Sequence, residues 1–164
     1  MAELVGPGGT VIAAEIDPAL AERSRHNLAS RANVQVVPAD GAVFDPGPVD
    51  VIVVNAGATH PMPVWLAALM PGGRMLLPLT AEGDRGTVFR IERLAEPGTY
   101  RAAAVSGVVI YPCAGARTPE AARRLARALG DGGQRFVRSL LLDAHHRDDS
   151  CWLHGDGYCF STRD

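Results

Sequence analysis

Short apolar runs alternate with helix-patterned stretches through the first half of the chain. Thr10-Val-Ile-Ala-Ala-Glu15 is a strand-sized run behind a Gly6-Pro7-Gly8-Gly9 turn. Asp17-Pro18 opens a helix, because the Asp17 carboxylate can accept orphan amide bonds and Pro18 suits the first helical position. Leu20, Ser24 and Leu28 mark one face of that helix, which should end near Ala29–Arg31. Val34–Val37 and Val49–Val54 predict two further strands. Pro63–Met70 predicts a short helix stopped by Pro71-Gly72-Gly73, and Arg74–Pro78 a fourth strand. Near-continuous apolar strands in this rhythm predict an α/β fold whose parallel sheet is covered on both faces.

The rhythm then changes. Gly86–Leu94 and Tyr100–Tyr111 are longer runs joined by Glu96-Pro97-Gly98, the pattern of an antiparallel hairpin. Thr118-Pro119-Glu120 caps a last helix through Leu129, with Gly130 closing it. Residues 135–142 and 150–162 read as strands or an irregular closing segment. There is no internal repeat.

Composition narrows the chemistry. The 164 residues, 47% hydrophobic and 21% charged, suit one ordinary folded domain. A net charge of −2 argues against a general binder of nucleic acid or acidic membrane. All 16 cations are arginine. That excludes chemistry needing a lysine amine, such as Schiff bases and phosphate-loop lysines. Three cysteines are too few and too scattered for a disulfide framework. The N-terminus lacks the basic and apolar regions of a signal peptide, and no apolar run has membrane-span length, so the expected compartment is the cytoplasm.

In open α/β sheets, ligands sit beyond the carboxyl ends of the strands. The residues just after each run are therefore the candidates: Glu15-Ile16-Asp17, Asp40-Gly41 and Asn55-Ala56-Gly57. A carboxylate at such a strand end can accept both hydroxyls of a ribose. Asp17 is accounted for as a helix cap, so Glu15 is preferred. Asp40 can accept from an adenine amino group with Gly41 leaving room for the ring; Asp40-Gly41 is equally an ordinary turn.

These runs, with Asn27-Leu28, Val34-Gln-Val-Val-Pro-Ala-Asp40-Gly41, Val49-Asp-Val-Ile-Val-Val-Asn55-Ala56 and Leu69-Met-Pro-Gly-Gly-Arg-Met-Leu-Leu-Pro-Leu79, resemble the S-adenosylmethionine-dependent methyltransferases. Among these, the chain is most similar to the protein-L-isoaspartate O-methyltransferase group, from residue 2 to about residue 80. The resemblance implies a Rossmann-like sheet with a C-terminal hairpin and extension. It implies S-adenosyl-L-methionine as cofactor, contacted by Glu15 at the ribose, Ile16 beside it, Asp40 and Gly41 at the adenine, and Asn55 near the methionine part. It implies methyl transfer to an isoaspartyl carboxylate of a protein or peptide. A tRNA or small-molecule acceptor, or a non-catalytic remnant of the family, are the alternatives. One part of the family pattern is absent: the first, central strand with its Gly-x-Gly-x-Gly turn, which Gly6–Gly9 does not replace. The expectation is thus a truncated form, with a partial methyltransferase domain at residues 1–112 and an extension at 113–164 packed on it. No catalytic residue is assigned, because the sulfonium already activates the methyl group.

Three other patterns compete. Asn55-Ala56-Gly57 resembles the strand end of short-chain dehydrogenases, but their Tyr-x-x-x-Lys pair is impossible without lysine. His145, His146, Cys151, His154 and Cys159, with Asp148 and Asp149, suggest a zinc site. Strand alternation, however, puts Cys151 and Leu153 on one face and Trp152 and His154 on the other, so no metal is expected. In residues 117–138, Arg117, Arg123, Arg124, Arg127, Arg135 and Arg138 face only Glu120 and Asp131, leaving +4, which is read as a solvated helix face.

Overall fold

The computed structural model describes residues 1–142 and 146–163. They form two compact units, Met1–Pro46 and Gly47–Asp164.

In the first unit, α1 (Ala2–Val5) leads through the glycine turn to β1 (Val11–Glu15), α2 (Pro18–Asn27) and β2 (Val34–Pro38). β1 and β2 pair in parallel, from Val11↔Val34 to Glu15↔Pro38, so their carboxyl ends coincide. Asp17 caps α2 as predicted: Ala19 N–H and Leu20 N–H donate to its Oδ1 at 2.8 and 3.0 Å. The packed face differs from the predicted one. Ala21 is fully buried while Leu20 is 42% exposed. A methyl side chain lets the helix backbone approach the strands, and the longer Leu20 is left at the flank.

The second unit carries β3 (Val49–Val53), α3 (Pro63–Ala68), β4 (Leu69–Thr80), β5 (Arg85–Arg93), β6 (Thr99–Val109), α4 (Pro119–Asp131), β7 (Ser139–Leu141), β8 (Cys151–Gly155) and β9 (Tyr158–Ser161). Its seven strands run in the order β3-β4-β5-β6-β7-β9-β8. Only β3 and β4 are parallel; every later pair is antiparallel. The expected single parallel sheet is therefore corrected to a two-stranded parallel sheet and a separate mixed one. The mixing has a local cause, since the short Ala81–Asp84 connection returns β5 directly beside β4.

The core of this unit follows the strand period. Met75, Leu77 and Leu79 point inward from β4, opposite Ile91, Phe89 and Thr87 of β5. Phe89 packs at a tilt against Phe160, with ring centroids 4.9 Å apart, and against Trp152 at 5.3 Å. α4 buries Ala121, Leu125 and Ala128, one stripe at helical spacing. It runs past Gly130, and Gly132, at φ 74°, ends it. Pro71-Gly72-Gly73, expected to separate a helix from a strand, lies inside β4. Pairing jumps from Val49↔Leu69 to Val51↔Arg74, so these residues form a bulged excursion that β4 resumes beyond. No helix among the described residues is long and apolar enough to cross a membrane.

Candidate cofactor site

Within the first unit the coincident strand ends bring the predicted acids to one edge. Ala39 N–H donates to the Glu15 carbonyl at 3.0 Å, tying the two ends together. The half-buried Glu15 carboxylate is aimed by Asp17 N–H, which donates to its Oε1 at 2.9 Å. No protein donor among the described residues reaches Oε2. Ile16, beside it, is 53% exposed.

Asp40 forms the turn that its dipeptide allows. Ala42 N–H donates to its Oδ1 at 2.9 Å, and its carbonyl accepts from Val43 and Phe44 at 3.1 and 2.9 Å. That is a side-chain-stabilised turn. It occupies Oδ1 and leaves Oδ2 with no protein donor among the described residues. A Cβ placed on Gly41 would meet only the Ala14 methyl, at 3.8 Å. Packing therefore does not demand glycine there, and the space above the turn is open.

The Gly6–Gly9 turn is built for a different purpose. Asn33 Nδ2 donates to the carbonyls of Ala2, Gly6 and Gly9 at 3.2, 3.0 and 3.3 Å. A Cβ on Gly9 would strike Val5 at 2.7 Å. The turn folds its carbonyls around one amide instead of presenting N–H groups to a ligand.

In the second unit, Asn55 lies exposed just past the carboxyl end of β3. The residues after it are stitched into the fold. Gly57 donates to Tyr111 O at 2.8 Å and accepts from Cys113 N–H at 2.9 Å. A Cβ on Gly57 would fall 2.1 Å from Thr80 Oγ1, which explains the glycine of the Asn-Ala-Gly string by packing.

Two features of this unit escaped the sequence patterns. Arg117 belongs to no solvated face: its guanidinium donates to Gly57 O at 2.7 Å, Thr80 Oγ1 at 2.8 Å and Ala81 O at 3.0 Å. Arg123 and Arg127 do stay exposed, as read. There is also a cleft of about 740 Å³ lined by His60, Leu66, Tyr100, Arg124, Asp156 and Tyr158 among others. Burial holds the His60 imidazole below its ordinary range, and its Nδ1 lies 3.0 Å from Thr59 Oγ1. Burial pushes the Tyr158 phenol up to about 12. An apolar floor with a few polar groups is the usual make-up of a ligand cleft. Gly155 seats the Tyr158 ring, since a Cβ there would lie 2.3 Å from it.

The zinc-like C-terminal cluster also departs from expectation. Cys151, His154 and Cys159 bring their donor atoms within 4.8 Å of one another, so Cys151 and His154 are not on opposite faces. His145 lies outside the described residues.

Comparison with known proteins adds a family. The model described as protein-L-isoaspartate (D-aspartate) O-methyltransferase matches residues 1–118. A protein-L-isoaspartate O-methyltransferase of Ignicoccus hospitalis is 38% identical over 100 residues, 58% of this chain and 47% of that protein. One from Aeropyrum pernix is 44% identical over 84 residues, 48% of this chain and 32% of that one. One from Methanopyrus kandleri is 36% identical over 122 residues, 70% and 52% of the two chains. The chain spans between a third and about half the length of these curated relatives. Among solved structures, a protein-L-isoaspartate O-methyltransferase superposes with a TM-score of 0.63 at 22% identity, over 79% of this chain and 40% of that one. A Plasmodium falciparum beta-aspartate methyltransferase in complex with S-adenosyl-L-homocysteine gives 0.54 at 15% identity, over 63% and 52%.

Proposed function

Since the chain belongs to the protein-L-isoaspartate (D-aspartate) O-methyltransferase family, we propose that the whole protein it represents transfers a methyl group from S-adenosyl-L-methionine to the carboxylate of an isoaspartyl residue in a protein or peptide. The observation that carries this reading is the joined edge of β1 and β2, where Glu15 and Asp40 each keep one carboxylate oxygen with no protein donor among the described residues. That edge fits the nucleoside half of the cofactor: Glu15 would accept from the ribose hydroxyls and Asp40 from the adenine amino group over Gly41, with Ile16 flanking. Asn55 is assigned to the methionine half by the family resemblance.

When bound, the cofactor supplies a methyl already activated by its sulfonium. The residues of this chain are then asked to bind and orient and to exclude water, and no acid–base pair is required. The finer fold reading goes with this one. β1 pairs only with β2 and β3 only with β4 among the described residues, so each has an open edge. The glycine-turn strand that the resemblance implies would satisfy the open edge of β1, and its turn would floor the methionine moiety.

The test is a methyl-transfer assay on the product of the complete native reading frame, offered isoaspartyl peptide, tRNA and small carboxylic acids in parallel. Transfer to the isoaspartyl peptide, abolished or reduced by Glu15→Ala, is expected. Transfer only to tRNA or a small acid would overturn the substrate, and transfer to none would overturn the reaction.

A further inference from the structure

The closing hairpin brings together three metal-ligating side chains that regular strand alternation would keep apart. β8 and β9 pair as Cys151↔Ser161, Leu153↔Phe160 and His154↔Cys159, so Trp152 is an extra residue with no opposite number. Residues three apart in a regular strand point to opposite faces. One inserted residue reverses that parity beyond it. Cys151 and His154 therefore share the face that carries Cys159. The bulge is pinned from outside, because Trp152 Nε1 donates to Gly132 O at 2.9 Å. Both cysteines are buried and His154 is half-buried, with all three donor atoms within 4.8 Å of one another. In a tetrahedral zinc site, bonds of about 2.3 Å to sulfur and about 2.0 Å to nitrogen set neighbouring ligand atoms roughly 3.5–3.8 Å apart. Closing the cluster around one ion takes movements of about 1 Å.

We propose that Cys151, His154 and Cys159 bind a zinc-type divalent ion, with the Asp148 carboxylate in the fourth position, and that the ion clamps the closing hairpin to the loop before it. Asp148 Oδ1 is 3.7 Å from Cys151 Sγ and is held by Ser150, whose N–H and hydroxyl donate at 2.8 and 2.6 Å. Its other oxygen lies 3.2 Å from Arg163. Two thiolates and a carboxylate on a dication leave one negative charge, which the Arg163 guanidinium neutralises. Thiolate and imidazole donors select zinc over magnesium or calcium. Binding sends two thiol protons to solvent, so affinity falls as pH is lowered. The site owes nothing to the methyl-transfer reading.

The 164-residue chain, reduced and equilibrated with zinc and then freed of unbound metal, should retain one equivalent by elemental analysis. Cobalt in its place should show a thiolate-to-metal charge-transfer band. In sub-denaturing urea, where the two buried thiols open transiently to reagent, zinc should slow alkylation of Cys151 and Cys159 while Cys113 reacts as before. His154→Ala and Asp148→Asn should each weaken zinc by at least the roughly 10–100-fold that loss of an outer-shell partner costs. Zinc content no higher than a blank would overturn the proposal, as would unchanged alkylation of the two cysteines. Because buried cysteine variants can fail to fold, alkylation of the unaltered chain decides. An unchanged cobalt spectrum in Asp148→Asn would remove Asp148 from the site.

Discussion

Arg117 donates to the Thr80 hydroxyl at 2.8 Å, joining positions 37 residues apart. The same guanidinium also serves the carbonyls of Gly57 and Ala81, so one side chain ties the end of β4 to the segment that follows β3. Thr80 is fully buried. Buried acceptors that lose a charged donor cost about 1–3 kcal/mol apiece. Gly57 O keeps its bond from Cys113 N–H, so two acceptors are orphaned and Arg117→Met should destabilise the chain by about 2–6 kcal/mol in urea unfolding. Arg117→Lys recovers only part of this, because an ammonium cannot span three acceptors as a planar fork does. Arg123→Met, on the exposed side of the same cationic stretch, should stay within about 0.5 kcal/mol.

Gly86 is held by backbone on one side. A Cβ there would fall 1.8 Å from Leu79 O and 2.8 Å from Thr80 Cα, and neither can rotate away. Gly86 pairs with Thr80 across β4 and β5, so relief requires the strands to part. Gly86→Ala should destabilise by about 3 kcal/mol or more, the upper end for overpacking. Gly107→Ala is the control: its nearest neighbour would be Gly86 O at 4.0 Å, and its effect should be within about 0.5 kcal/mol. Urea midpoints of the two variants should therefore separate clearly.

What the sequence discloses, and what it hides, divides along local and non-local physics. The Asp17-Pro18 start, the strand pair that ends in Glu15 and Pro38, and the hairpin around Glu96-Pro97-Gly98 are local signals, and the structure carries each. The bulge at Trp152 is not local. It depends on an indole finding Gly132 O twenty residues away, and it alone turns an alternation that separates Cys151 from His154 into one that joins them. Arg117 misleads for a similar reason: a stretch rich in arginine reads as surface, while three acceptors from distant segments draw one of its members inward. Pro71-Gly72-Gly73 is correctly a break in the ladder, yet β4 continues beyond it because Arg74 re-enters the pairing with Val51. For the candidate site, Glu15 and Asp40 are legible because parallel pairing fixes where strand ends meet. The cleft around His60 and Tyr158 is assembled from segments nearly a hundred residues apart and leaves no motif.

The 164-residue chain should not hold its cofactor tightly. A hydrogen bond to a charged group contributes about 1.5–3 kcal/mol net, and association costs at least about 4 kcal/mol of lost freedom. Contacts from Glu15 and Asp40 with no glycine-turn floor beneath the methionine moiety leave at most about 2 kcal/mol, an affinity of roughly tens of millimolar or weaker. Calorimetry with S-adenosylmethionine or S-adenosylhomocysteine at micromolar concentration is expected to show no heat of binding. The chain preceded by a strand with a Gly-x-Gly-x-Gly turn should bind, and Glu15→Ala in that form should weaken binding clearly. Micromolar binding by residues 1–164 would mean that another part of this chain supplies the floor.

Tyr158 should make the chain sensitive to alkali. Its hydroxyl is buried without a hydrogen-bond partner among the described residues, while its ring packs against Phe160 with centroids 6.4 Å apart. Burial pushes its pKa up to about 12; nearby Arg124 opposes this and Asp156 adds to it. The unfolded phenol titrates near 10. Between about pH 10 and 12 the unfolded chain has therefore lost a proton that the folded chain retains, so stability falls as pH rises through that window. The neutral phenol's advantage is fully present below about pH 10, and its loss by pH 12 amounts to about 2–3 kcal/mol. Tyr158→Phe keeps the ring and removes both the titration and the unpartnered hydroxyl. It should be neutral or stabilising by up to about 1 kcal/mol at pH 8, and its unfolding midpoint should fall less between pH 8 and 11 than that of the unaltered chain. Tyr100 and the other groups common to both proteins cancel in the difference. Equal losses of stability in the two proteins across that interval would show that the Tyr158 phenol is open to water, and would sink the assignment.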